Sequence, residues 1–244
     1  MRIDVFLTEK GYCQSRTEAK GLITSGAVEY NGRLITKPSF DIPDDASDLK
    51  VDRSSIRFAS RGGEKLAFAI DRFNINAKGR SCIDVGASSG GFTDCPLQSG
   101  AERVLSVDSG SGQIVDRLRC DPRVTVYEGY NARYMKREDF AYVPNLAVMD
   151  VSFISATLII TSLYDVLDGE SDFICLIKPQ FEVGKSGLGK GGVVKDERIR
   201  KSAVEKVTSF SESIGFSTVG VITSPILGGD GNVEFLAHFR KGIK

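Results

Sequence analysis

Four residues far apart in this 244-residue chain have the types and settings of a proton-handling site. Lys65 lies in Ser-Arg-Gly-Gly-Glu-Lys and Asp150 in Val-Met-Asp-Val-Ser-Phe; Lys178 lies in Leu-Ile-Lys-Pro-Gln-Phe-Glu and Glu234 in Gly-Asn-Val-Glu-Phe. Asp150 and Lys178 end apolar, strand-like runs, and Glu234 opens one. In an open α/β sheet, ligands bind at the carboxyl ends of the parallel strands. Two lysines and two acids converging there can activate a poor nucleophile. A lysine crowded by a second ammonium has its charged form disfavoured, and a carboxylate beside it orients it. Each residue alone has a plainer reading, as a solvated lysine or a simple ion pair, so their weight lies in the shared placement.

A second motif offers a place for a cofactor. Ser81-Cys-Ile-Asp-Val-Gly-Ala-Ser-Ser-Gly-Gly-Phe-Thr-Asp94 reads as a strand, a glycine-rich turn and the start of a helix. Gly86, Gly90 and Gly91 permit a tight turn and a close backbone approach to a ligand. Asp108 follows the next strand-like run, 24 residues beyond Asp84, where an acid suits a ribose diol. The spacing is not that of a dinucleotide fingerprint, and Gly184-Lys185-Ser186 has Pro179 where a phosphate loop needs its first glycine. The turn resembles the S-adenosylmethionine site of class I methyltransferases. That resemblance implies S-adenosylmethionine held by Asp84, Gly86, Ala87, Ser88, Ser89, Gly90, Gly91, Phe92, Asp108, Asn131 and Asp150.

The elements that must position these residues follow from periodicity. Apolar runs predict strands near 81–85, 103–107, 124–127, 146–150, 172–177, 217–222 and 233–239, with helices clearest at 64–74 and 196–214. Alternation of this kind predicts an α/β, Rossmann-like fold: a mainly parallel seven-stranded sheet covered on both faces. The last two runs, joined through Gly228–Gly231, predict a terminal antiparallel strand. Pro96 is expected early in the helix after the glycine turn, where its missing N–H is tolerable.

Residues 1–52 read as a separate small α+β module, 53–62 as a linker and 63–244 as the large domain. Ile3, Phe6 and Leu7 recur at helical spacing; Ser15 with Glu18 suggests a capping box for a helix from Arg16 to Ser25. Asn31-Gly32 between strand-like runs predicts a hairpin. Arg2, Leu7, Ser15-Arg16, Ala19, Leu22-Ile23, Gly26, Val28, Asn31-Gly32 and Lys37-Pro38 resemble the RNA-binding module named after a ribosomal small-subunit protein. The resemblance implies an RNA surface built from Arg2, Arg16, Lys20, Arg33 and Lys37. A glycine-rich loop, 184–192, contains Lys190 and leads to Lys195 and Arg198; with seven Lys/Arg against three acids over 185–206, it reads either as a loop that closes over RNA or as a solvent loop.

Composition narrows the classes. Lys+Arg and Asp+Glu are both 32, so net charge favours no partner, and 41% hydrophobic with 26% charged residues is ordinary globular usage. Cysteines 13, 82, 95, 120 and 175 show no paired spacing for zinc, so no metal is expected and free thiols of a reducing cytoplasm are. The start carries acids where a signal peptide needs an apolar run, and the longest apolar stretch, 153–167, is broken by polar residues. His238, the only histidine, lies in an apolar run and reads as a core residue.

Lys65, Asp150, Lys178 and Glu234, in that order, resemble the set of FtsJ-like ribose 2′-O-methyltransferases, and the whole chain resembles the TlyA family, which joins the RNA-binding module to such a domain. Ser60–Leu66, Asp84–Asp94, Gln98–Ala101, Asp121–Val124, Asp150–Ser155 and Lys178–Glu182 carry the likeness. It implies methylation of cytidine 2′-hydroxyls in ribosomal RNA or ribosomal subunits, with no obligate protein partner. Ser109, Ser111, Asp116 and Glu128-Gly-Tyr-Asn131 depart from the family pattern around the adenosine pocket. A ribose hydroxyl is a weak acid, so Lys178 is expected to accept or stabilise its proton and Asp150 to orient Lys178. Lys65 and Glu234 are expected to balance charge and hold the ribose. Two other classes remain open: a membrane-active hemolysin, as some members are labelled, and a non-catalytic RNA-binding ribosome-assembly factor.

Overall fold

A computed structural model describes residues 1–13, 16–52, 57–184, 187–228 and 231–242. Helix α1 (Ile3–Glu9) buries Ile3, Phe6 and Leu7 on one stripe, and α2 (Arg16–Ser25) follows it. The capping box from Ser15 falls outside the described residues. Strands β1 (Val28–Tyr30) and β2 (Arg33–Ile35) form the expected hairpin, with Asn31 at φ 49° and Gly32 at φ 70°, the two positive φ values that such a turn needs. Strand β3 (Leu49–Val51) also pairs with β1, giving the order β2-β1-β3. Ile3, Phe6, Leu7, Ile23, Val28 and Ile35 centre a core of their own.

The expected linker is not free throughout. Phe58 and Ala59 are buried in the core of the large domain, and helix α3 (Arg61–Arg72) begins within the linker range. Then come β4 (Ser81–Val85), α4 (Gly91–Gln98), β5 (Arg103–Val107), α5 (Asp116–Arg119), β6 (Val124–Tyr127) and β7 (Leu146–Met149). The chain continues with α6 (Thr157–Val166), β8 (Ser171–Ile177), α7 (Pro179–Glu182), α8 (Glu197–Ser213), β9 (Ser217–Thr223) and β10 (Phe235–Lys241). Among the described residues the sheet has seven strands in the order β6-β5-β4-β7-β8-β10-β9, parallel except for β10, which runs antiparallel to both neighbours. Pro96 lies deeper in its helix than expected, past the first turn of α4, which ends two residues later.

The strands read as continuous apolar runs because both faces are covered. Ile83, Val85, Leu105, Val107, Ala147 and Met149 pack with α6 and α8 residues such as Ile160, Leu163 and Val207. Cys82, Val104, Leu146, Val148, Ile174 and Leu176 pack on the other side with Leu66, Ala69, Phe92 and Cys95 of α3 and α4. The apolar stretch 153–167 thus supplies a core helix. No helix among the described residues is long and apolar enough to cross a membrane.

Sheet topology decides which residues meet. Asp150 directly follows β7 and Lys178 directly follows β8. Because β10 is antiparallel to β8, with Phe235 opposite Ile177, its amino end lies at the carboxyl end of β8. Glu234 therefore joins the same edge. It precedes β10 rather than opening it, as the strand begins two residues later than expected.

The opposite edge is stapled by Asp172 on β8. Its carboxylate meets buried His238 (2.7 Å), Arg240 (3.0 Å) and Arg80 (2.5 Å). Burial works to raise the Asp172 pKa, but hydrogen bonds from His238, Arg80 and Arg240 outweigh it and hold the carboxyl well below its usual range. The stability this contributes is present above the ordinary carboxyl pKa and is lost as pH falls toward the depressed one. Asp172→Ala is expected to cost about 3 kcal/mol in urea unfolding at neutral pH, with the difference from wild type shrinking in acid.

Candidate active site

Helix α3 brings Lys65 into the site because its first turn packs unusually close. A Cβ on Gly63 would stand 2.3 Å from that of Phe58, so only glycine fits there. Lys65 Nζ donates to Glu234 Oε2 at 2.6 Å, and both residues are buried. Lys178 Nζ lies 2.6 Å from Asp150 Oδ1 and donates to Ser152 Oγ at 2.8 Å. The four expected residues thus resolve into two ion pairs, each ammonium matched by its own carboxylate. Lys65, Asp150 and Lys178 line one cavity of about 260 Å³, together with Ser152, Gly86–Ser89, Gly91 and Phe92. Glu234 does not line it and stands behind Lys65. Ser152 was not singled out from sequence: a loop serine two residues past the acid carries no signal until the loop is folded.

The glycine turn runs from the end of β4 into α4. Gly86 has φ 89°, and a Cβ there would lie 2.4 Å from the Asp150 carbonyl oxygen, so the turn and the β7 loop touch backbone to backbone. The close neighbours of Gly90 and Gly91 are likewise protein, Leu118 and Ser60, rather than open ligand space. A second cavity of about 480 Å³ shares Gly86, Ser88, Asp150 and Ser152 with the first and is lined also by Asp108, Ser109, Gln113, Tyr130, Asn131 and Phe153 among others. Asp108 accepts from the amides of Ser88 and Gly110, both at 2.7 Å. Asn131 caps the 3-10 turn Ala132–Tyr134 through the Arg133 amide. Of the residues that depart from the family pattern, Ser109 and Tyr130 line this cavity; Ser111 and Asp116 do not.

Asp84 lies wholly buried below both cavities' linings. Its Oδ2 accepts from Thr93 Oγ1 at 2.6 Å, and its Oδ1 has no hydrogen-bond partner among the described residues. Burial pushes its pKa up to about 8; the Thr93 hydrogen bond opposes this, and the Asp150 and Asp108 carboxylates add to it. Asp84 lines neither cavity, contrary to the expectation that it touches the cofactor, because burial places it behind the glycine turn. From there it acts only through its charge, while Asp108, Asn131 and Asp150 line the second cavity and suit a cationic ligand. The residues present therefore fit S-adenosylmethionine.

The basic residues expected to meet RNA divide into two kinds. Arg2 and Arg16 both bind the buried carboxylate of Asp4, at 2.9 Å and 3.1 Å, which gives them a structural task beside their half-exposed surfaces. Lys20, Arg33, Lys37, Lys195 and Arg198 are exposed. The side chain of Lys190 falls outside what the structure describes.

Residues 58–241 match the model of the FtsJ-like methyltransferase family, and residues 1–46 match that of the S4 domain. The chain is 43% identical to a candidate rRNA methyltransferase, YqxC, of Bacillus subtilis, over 98% of this chain and 85% of that one. It is 40% identical to the 16S/23S rRNA (cytidine-2′-O)-methyltransferase TlyA of Mycobacterium tuberculosis, over 98% and 89% of the two chains. A solved structure of a candidate hemolysin from Streptococcus thermophilus superposes with a TM-score of 0.79 at 42% identity, covering 99% of this chain and 88% of that one. Likeness over nearly the whole length, with both domains in the same order, means that this chain belongs to the TlyA family, an S4 domain joined to an FtsJ-like methyltransferase.

Proposed function

We propose that this protein transfers the methyl group of S-adenosylmethionine to a ribose 2′-hydroxyl of ribosomal RNA in the cytoplasm, with cytidine as the acceptor nucleotide. The observation that carries this is the pair of contacts Lys178–Asp150 and Lys65–Glu234 at one edge of the sheet, beside the glycine turn. The cytidine assignment draws on the name of the tuberculosis relative. S-adenosylmethionine, when bound, supplies a methyl group on a sulfonium, the electrophile of an in-line displacement. Asp108 and Asn131, with the turn from Gly86 to Phe92, would hold it, and Asp84, buried behind the turn, would favour its positive charge without touching it. Once its ammonium has released a proton to solvent, the free amine of Lys178 takes up the 2′-hydroxyl proton as the oxygen attacks the methyl carbon and the sulfonium bond breaks; Asp150 orients Nζ and stabilises the ammonium that forms. Lys65, fixed by Glu234, holds the acceptor ribose and balances charge.

The test is methyl transfer from labelled S-adenosylmethionine to ribosomal subunits by the purified protein, followed by alkaline hydrolysis. Label in alkali-resistant dinucleotides that begin with 2′-O-methylcytidine is the expected result. Label on bases, or none in RNA, overturns the reading.

Residues 1–52 would supply RNA affinity and residues 63–244 the chemistry, joined through 53–62. Lys20 and Arg33 are exposed, which places them well to neutralise phosphates. Lys20→Ala and Arg33→Ala are each expected to weaken RNA binding across sequences and to shallow its log–log salt dependence by about one. Filter-binding titrations over a range of salt measure both. Arg2→Ala should weaken binding and also lower Tm, since Asp4 loses a partner.

A further inference from the structure

Asp150 and Lys178 sit on different loops, one after β7 and one after β8, and their contact requires those loops to keep a fixed spacing. Phe153, three residues past Asp150, has φ 64°, an uncommon backbone state for a phenylalanine, and its ring meets that of Phe181 in the second loop at 5.2 Å between centroids. Four residues past Lys178, Glu182 reaches back to the end of that first loop. Its Oε1 accepts from the Ala156 amide at 2.7 Å, and its Oε2 accepts from the Ser155 hydroxyl. From α8, Lys206 Nζ donates to the same Oε2 (3.1 Å), to the Glu182 carbonyl oxygen (2.9 Å) and to Ser155 Oγ (3.3 Å). The Glu182 side chain is 2% exposed, so these donors replace its hydration entirely. Glu182 lines neither cavity and cannot act on a substrate directly.

We infer that Glu182, held by Lys206, is a positioning residue for the Asp150–Lys178 pair. It links the same two loops a second time, so that Lys178 Nζ stays within reach of Asp150 Oδ1. The inference rests on the roles proposed above for Asp150 and Lys178. A buried carboxylate suits this task because it accepts a backbone amide, a hydroxyl and an ammonium at once, and each donor comes from a segment that must not move. An amide in its place sets an N–H against at least one of those donors, whichever way it is flipped.

The experiment compares wild type, Glu182→Gln, Lys206→Met and the double variant. Methyl-transfer kinetics are followed across pH, with S-adenosylmethionine binding measured separately. In parallel, acylation of the Lys178 amine by an N-hydroxysuccinimide ester is followed by mass spectrometry, with exposed Lys37 as the internal standard. Glu182→Gln is expected to lower kcat about tenfold or more. The KM for S-adenosylmethionine should stay unchanged, the pH profile of kcat should move, and Lys178 should be acylated faster than in wild type. Lys206→Met, at a side chain that is 45% exposed, should act in the same direction but less, which keeps the test open if Glu182→Gln folds poorly. The double variant should be no worse than Glu182→Gln. Wild-type kcat, pH profile and labelling in both single variants would overturn the inference. So would a loss of kcat matched by equal losses of cofactor binding and Tm, with Lys178 labelling unchanged. If wild-type protein methylates no ribose, the functional reading fails on its own, while the labelling still decides whether Glu182 positions Lys178.

Discussion

Lys178→Ala is expected to lower kcat for ribose methylation by about a thousandfold, the size of effect seen when a positioned proton acceptor is lost, while S-adenosylmethionine still binds. Lys178 is placed at the cavity wall by strand β8 and held from two sides, by Asp150 Oδ1 at 2.6 Å and Ser152 Oγ at 2.8 Å. The ion pair with Asp150 and the hydrogen bond to Ser152 hold the side chain at the cavity wall, where an incoming hydroxyl can reach Nζ. Alanine removes the acceptor but no side chain that lines the second cavity, where Asp108 and Asn131 stand. Lys178→Arg sharpens the test. A guanidinium keeps the positive charge but does not accept a proton at working pH, and its planar fork cannot reproduce the lysine contacts. If arginine restores most of the rate, the role of Lys178 is electrostatic. If both variants are inactive with intact cofactor binding, positive charge alone does not supply the role of Lys178. Single-turnover methylation of ribosomal subunits with each variant gives the answer, and a wild-type rate in Lys178→Ala would sink the assignment.

The site was legible in the sequence to the extent that it depends on strands. Asp150 and Lys178 stand out because each ends a run buried on both faces, and burial on both faces is what makes parallel strands easy to see. Which acid meets which lysine was not legible. That depends on the antiparallel register of β10 on β8, Phe235 opposite Ile177, which brings Glu234 to the shared edge behind Lys65. Helix α3 starts earlier than its periodicity suggests because Gly62 and Gly63, which resemble loop residues in sequence, serve close packing on Phe92 and Phe58. Strand β3 is three residues long in an acid-rich stretch, too short for alternation to register. Ser152, Glu182 and Lys206 matter through tertiary hydrogen bonds alone, and no spacing rule reveals those. Arg2 and Arg16 look free in sequence, whereas the fold ties both to the buried Asp4 while leaving each about half exposed.

Asp84→Asn is expected to stabilise the fold at alkaline pH and at the same time to weaken cofactor binding. The folded protein raises the Asp84 pKa from 3.8 to about 8, chiefly by burial and further through Asp150 and Asp108. Between those two pH values the folded chain holds a proton that the unfolded chain has lost, so stability falls as pH rises from about 4 to about 8 and is flat beyond. A shift of this size corresponds to an upper bound of about 6 kcal/mol above pH 8, taken at about 1.4 kcal/mol for each unit. Asparagine carries no charge to bury and can still accept the Thr93 hydroxyl. Urea unfolding should therefore show the variant gaining on wild type at pH 9 and the gap narrowing toward pH 5. A cationic ligand has the opposite requirement, because it favours the ionised carboxylate. Wild-type affinity for S-adenosylmethionine should rise with pH up to about 8 and then level, with proton release on binding below that point, as calorimetry in buffers of different ionisation enthalpy would record. The variant should bind more weakly and lose this pH dependence. A variant less stable than wild type at pH 9, or wild-type affinity indifferent to pH, would mean that Asp84 serves the fold and not the cofactor. The orphaned Oδ1 argues for the cofactor: a purely structural carboxylate at this depth would be expected to have both oxygens satisfied by the protein.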